Sequence, residues 1–121
     1  MAAATPDQIR AFFNLQIELW NAEKVDEFIG AFRAIAPNGF KVEDPVGSAP
    51  KDGWTALEEL CRLYKGWRLE LVDFLVNGNQ AAAYVKNTGV FEGKPVTAFS
   101  IETYVFGDDG SLLARYYHPQ Q

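Results

Sequence analysis

A chain of 121 residues in which 48% of side chains are apolar and 14% aromatic is long enough to bury one core, too short for two, and too apolar to stay disordered. Its formal charge is −5 and its basic residues, such as Lys24, Arg33, Lys41 and Arg62, are scattered, which argues against nucleic acid and anionic membrane surfaces as partners. Cys61 is the sole cysteine, so an internal disulfide and zinc sites built from several thiolates are excluded, no metal or cofactor is expected, and a cytoplasmic setting fits best.

The opening Met-Ala-Ala-Ala-Thr-Pro-Asp has neither a basic region nor a long apolar stretch, and no run approaches the roughly 18 apolar residues that a membrane span requires. A soluble single domain over residues 1–121 is expected. Thr5, Pro6 and Gln8 form a capping-box pattern with proline at the first helical position. Ile9, Phe12, Phe13, Gln16, Leu19 and Trp20 then recur at the helical period, so Gln16 interrupts an otherwise apolar face. A second helix is predicted over Val25 to Ile35, with Phe28, Ile29, Phe32 and Ile35 inward, stopped by Pro37, Asn38 and Gly39.

Val-Glu-Asp-Pro-Val-Gly follows at residues 42–47. A proline disfavours helical backbone in the residue before it, so Asp44 is expected at the end of an extended segment where its carboxylate can be aimed into a cavity as a general base. The same Asp-Pro pair also marks ordinary turns. Asp52 is placed to cap a third helix with Trp54, Leu57, Leu60, Cys61 and Tyr64 inward, closed by Gly66.

From Trp67 onward the apolar period changes to two, with turn signals at Asn77-Gly78, Glu92-Gly93 and Asp108-Asp109-Gly110. This predicts a four-stranded antiparallel meander, and helices followed by strands predict an α+β domain whose curved sheet wraps the helices. In the third of these strands Ser100, Glu102, Tyr104 and Phe106 share one face, while Phe99, Ile101 and Val105 share the other. Glu102 is a solvated acid if its face is the outer one and a buried acid of raised pKa if it looks into the concavity. The aromatic content exceeds what a small core needs, which points to a ring-lined cavity drawing on Phe13, Phe32, Trp54, Phe91, Phe99 or Tyr116, for a small hydrophobic carbonyl or phenolic ligand.

The segment Val-Glu-Asp-Pro-Val-Gly-Ser at 42–48, with Pro50, Gly53, Ile17-Glu18-Leu19, Ile101-Glu102 and Phe106…Asp109-Gly110, resembles the ketosteroid isomerases of the NTF2-like, SnoaL-like superfamily over nearly the whole chain. The resemblance implies a cone of three N-terminal helices packed on a curved, mainly antiparallel sheet, and a homodimer formed through that sheet. It implies that Asp44 moves a proton between carbons near a ketone. It also implies that the oxygen, negative in the intermediate, is held by groups at Gln16 and Glu102, where the family has a tyrosine and a protonated aspartate. Two supporting tyrosines of some members fall at Phe32 and Cys61, and His118 falls where the last strand lines the pocket. About four extra residues lie between Phe32 and Val42.

Losing one oxyanion donor costs on the order of 100- to 1,000-fold in rate, so the missing phenols point away from an efficient steroid isomerase. Tyr84, Tyr104, Tyr116 or Tyr117 is a possible replacement. The leading expectation is a proton-transfer enzyme without cofactor, steroid isomerase-like. The alternatives are a SnoaL-like cyclase or lyase working through an enolate, and a non-catalytic module that binds an apolar ligand.

Overall fold

In the computed structural model, which describes residues 2–117, the three helices are α1 (Pro6–Asn21), α2 (Val25–Ile35) and α3 (Gly53–Leu63). The strands are β1 (Phe40–Glu43), β2 (Lys51–Asp52), β3 (Arg68–Asn77), β4 (Gln80–Phe91), β5 (Lys94–Phe106) and β6 (Leu112–Tyr117). Each helix begins where its local chemistry supplies acceptors for the first free N–H groups. The Thr5 hydroxyl accepts from the Gln8 amide at 3.2 Å while the Gln8 side chain accepts from the Thr5 amide at 2.9 Å, and Asp52 accepts from the Thr55 amide at 3.0 Å. Helix α2 has no side-chain cap, but Asp26 and Glu27 lie in its first turn, where the helix dipole favours negative charge.

The expected meander is present as β3 to β6, and the sheet continues beyond it in the order β2-β1-β6-β5-β4-β3. Strand β1 runs parallel to β6, with Phe40 opposite Leu112 and Glu43 opposite Arg115. These two added strands hold four and two residues, too few for a period-two pattern to show, and Pro45 and Pro50 hide them further.

Three helices on one side of a curved six-stranded sheet make an α+β cone of the NTF2-like kind. The core between them is a stack of rings: Phe12 meets Phe32 edge-on at 4.8 Å, and Phe32 stacks on Phe40 at 5.3 Å. Gly53 is required under this stack, because a Cβ there would lie 2.3 Å from the Phe40 ring. On the convex side, Tyr84 stacks on Phe99 at 5.3 Å, and Ile101 pairs with both Tyr84 and Tyr117, leaving an exposed apolar row.

Helix α1 is tied to the edge strand β3 by Asn21, whose amide donates to the Leu69 carbonyl and whose oxygen accepts from the Leu69 amide, both at 2.8 Å. The side chain thus imitates a strand neighbour on an edge that has none. Trp20 adds a 2.8 Å bond from its indole N–H to the Trp67 carbonyl. Asn21→Ala leaves the part-buried Leu69 N–H and C=O without their side-chain partner and is expected to lower stability by about 1–3 kcal/mol. A shifted urea midpoint at unchanged slope checks this.

Candidate active site

The concave face of the sheet is left partly uncovered by the helices, and the gap is a cavity of about 260 Å³. Its walls are mainly apolar, with Trp20, Phe28, Leu57, Leu60 and Trp67 among them. Into it open Gln16, Asp44, Asn87, Ser100, Glu102, Tyr104 and Tyr116.

Strand alternation explains the arrangement at β5. Glu102 and Tyr104 are two residues apart, hence on one face about 7 Å from each other along the strand, and the Tyr104 ring spans that gap. Its hydroxyl donates to Glu102 Oε1 at 2.6 Å. Tyr116 stands directly opposite Glu102 on β6. Small residues make room for these large ones, since Ala83 flanks Glu102 on β4 and Ala114 flanks Tyr104 on β6.

Tyr104 and Tyr116 are buried, which pushes both phenols well above their ordinary pKa. They therefore remain O–H donors across the working pH range and are unsuited to act as bases. Gln16, on α1, is 4% exposed, and its carboxamide has no hydrogen-bond partner among the described residues. No buried side-chain N or O atom among the described residues lacks a partner, so the Gln16 amide is open to the cavity rather than sealed in the core.

Asp44 comes last in this wall, immediately after β1, and the Asp44–Pro45 peptide is cis. The backbone around it is held from both sides. Glu43 Oε2 accepts from Arg115 Nε at 2.9 Å, across the parallel β1–β6 pair, and the Val46 amide donates to the Tyr116 carbonyl at 3.0 Å. The other Glu43 oxygen accepts from the Gly47 amide at 3.4 Å.

Asp44, Gln16 and Glu102, assigned catalytic roles from the sequence, thus open on one cavity, together with Phe32, Phe99 and Tyr116 from the expected binding residues. Phe99 points to the convex side by alternation and stacks on Tyr84, so it borders the cavity from its strand position. Four other expectations are corrected. Phe13 is fully buried beneath the floor, edge-on to Tyr104 at 4.7 Å. Trp54 turns toward Phe40 and lies under the Arg33 guanidinium at 4.2 Å. Cys61 lies beside the Leu57–Leu60–Tyr64 stripe of α3 that faces the cavity and is not among the lining residues, and burial followed by the charge of Glu58 raises its thiol pKa, as suits a small core residue rather than a nucleophile. Phe91 sits near the tip of the β4–β5 hairpin, beyond the helices, and is 63% exposed.

His118 lies outside the described residues. Tyr84 and Tyr117 are exposed on the convex face, so of the four candidate hydroxyls Tyr104 and Tyr116 reach the site. Tyr64, expected inward, is 41% exposed and stands at the mouth of the cavity, edge-on to Trp67. Asn87 and Ser100 were missed, although Asn87 interrupts the small and apolar inward positions Ala81, Ala83 and Val85 much as Gln16 interrupts α1. Among the described residues no group of three or more metal-ligating side chains occurs, and no helix is long and apolar enough to cross a membrane.

No protein-family model matches the sequence, and no curated protein matches it. Solved structures do match. SalBIII, an epoxide hydrolase/cyclase-like enzyme in pyran ring formation in the polyether salinomycin, superposes with a TM-score of 0.72 at 14% identity, covering 92% of this chain and 90% of that one. An LEH-like epoxide hydrolase of M. tuberculosis superposes with a TM-score of 0.67 at 18% identity, covering 95% of this chain and 84% of that one. At such identities the likeness is one of fold alone, in keeping with the NTF2-like cone.

The Arg115 bond to Glu43 holds that carboxyl below its ordinary pKa. A lowered folded-state pKa stabilises the fold above the unfolded value and loses that stabilisation as pH falls through the folded one. From about pH 6 down to pH 3 the wild-type protein is therefore expected to lose more stability than Arg115→Met, in which Glu43 has no such partner. Parallel stability curves for the two proteins would show that the ion pair contributes nothing.

Proposed function

We propose that this protein is a cofactor-independent acid–base enzyme that moves a proton between carbons next to the carbonyl of a small apolar substrate. The observation that carries this reading is the convergence of Asp44, Glu102 and Gln16 on one largely apolar cavity. Asp44 takes the proton from carbon, and the electron pair of the broken C–H bond shifts toward the carbonyl oxygen. Glu102 and Gln16 donate hydrogen bonds to that oxygen, and Asp44 returns the proton to a second carbon.

Glu102 acts in its protonated form, because apolar walls and the Asp44 charge both oppose a second negative charge in the cavity. Tyr104 helps to fix the orientation of this carboxyl through its bond to Oε1. The volume, about 260 Å³, falls below the ~300–1,000 Å³ usual for drug-sized ligands. A skeleton of one or two rings is therefore favoured over a four-ring steroid.

A second reading is supported by the two structural neighbours and by the absence of the family's oxyanion phenol at Gln16. An enolate must be held as a full anion, whereas an epoxide oxygen is protonated outright as its C–O bond breaks. In that reaction Asp44 removes the proton from water or from a hydroxyl of the substrate, whose oxygen bonds to the epoxide carbon. Glu102 gives its proton to the departing oxygen. The exposed apolar row on the convex face also supports the homodimer expected through the sheet, which sedimentation velocity detects and a charge at Ile101 disrupts.

Cyclic ketones incubated in D₂O are expected to exchange the hydrogens beside the carbonyl, and Asp44→Asn to slow this by roughly 100-fold or more. Glu102→Gln keeps a donor and much of the rate, while Glu102→Ala loses it. Exchange that is absent, together with ring opening of cyclic epoxides at the same Asp44 dependence, selects the second reading. Unchanged turnover in Asp44→Asn removes Asp44 from the chemistry, and absence of turnover on both substrate classes leaves ligand binding alone.

A further inference from the structure

A second polar pair lies on the same concave face as Glu102, away from the acid–base residues. Ser100 is two residues before Glu102 on β5, and Asn87 on β4 pairs with Ala98, four residues before it. At the rise of an extended strand these stand roughly 7 and 13 Å from Glu102. Both side chains line the cavity, in a region otherwise walled by Trp67, Leu69 and Leu60.

The hydrogen-bond inventory of the pair shows what it has left to give. The Asn87 amide nitrogen donates to Ser100 Oγ at 3.1 Å and to the Ala98 carbonyl at 3.2 Å, with the Val85 carbonyl at 3.4 Å. Two backbone carbonyls on that side require it to be the nitrogen, so the amide oxygen points the other way. That oxygen has no partner among the described residues and is not sealed from solvent, so it is an open acceptor. Ser100 accepts from Asn87 through its oxygen and keeps its own O–H to donate. Tying β4 to β5 needs only the amide nitrogen, and leaves an acceptor and a donor side by side.

We infer that Asn87 and Ser100 form a specificity subsite that binds a hydroxyl group of the substrate about 7–13 Å from its reacting oxygen. A hydroxyl donates to the Asn87 oxygen and accepts from Ser100, using both at once. This deepens the proposed function and rests on it: the substrate is an apolar ring skeleton with the reacting oxygen at one end and an alcohol at the other. The two residues position the substrate and take no part in the proton transfer.

Two phenols test the subsite without turnover: para-cyclohexylphenol, and the same molecule with a hydroxyl at the far carbon of its cyclohexane ring. Each is titrated by calorimetry into the wild-type protein, Ser100→Ala and Asn87→Ala. The hydroxylated probe is expected to bind the wild-type protein about 3- to 10-fold more tightly. Ser100→Ala, a small change that keeps the Asn87 bond to Ala98, is expected to remove most of that preference without weakening the plain phenol. Asn87→Ala should behave alike. Equal affinities in the wild-type protein, or a preference that survives both substitutions, overturn the subsite and leave the Asp44 site standing. Failure of both probes to bind overturns the cavity reading and the subsite with it.

Discussion

Strand alternation on β5 sets the side on which Ser100, Glu102 and Tyr104 appear. Glu102 and Tyr104 must share a face, and the concave sense of the sheet places that face toward the helices, so an acid and the phenol that orients it enter the same apolar space. A one-residue slip in register would send both to the convex side and replace them with Ile101 and Thr103. The slip is resisted by β6, where Tyr116 opposes Glu102 and the small Ala114 leaves room opposite Tyr104. The rest of the site is assembled around this fixed strand: α1 brings Gln16 across the cavity, and β1 brings Asp44 to its edge.

Much of the scaffold was legible from the chain alone, for reasons that differ by element. Helices α1 and α3 announce themselves through Thr5 and Asp52, whose caps are local chemistry, and α2 through the spacing of Phe28 and Phe32. The hairpin turns carry glycines at Gly78, Gly93 and Gly110 with positive φ, where other residues are strained. Strands β1 and β2 were not legible. Their existence depends on β6, which lies some seventy residues downstream, and nothing in Phe40–Glu43 says that a parallel partner is waiting.

The same division runs through the site. Gln16 was visible because a polar residue on an apolar helical stripe is an exception that needs a cause, and Asp44 because proline constrains its neighbour. Which rings face the cavity was not visible: Phe13 and Gln16 are both buried on α1, yet one lies under the floor and the other opens onto it, a difference set by where Tyr104 sits. Trp20 and Phe28 were read as core and prove to be wall. Periodicity separates inside from outside and is silent on whether the inside is filled.

The ion pair between Glu43 and Arg115 has a consequence in time rather than in geometry. It joins residues 72 apart, so the segment that carries Asp44 cannot take its place until β6 has formed and docked. Closing so long a loop is slow compared with making a helix or a hairpin. The helices and the β3–β5 ribbon can therefore be native while the cavity still lacks its carboxylate. In reverse, detachment of β6 disperses Asp44, Tyr116 and the support for Glu102 together, and takes Leu112 and Ala114 out of the core with them. The strand that completes the site is thus also part of the core, and disturbing one disturbs the other.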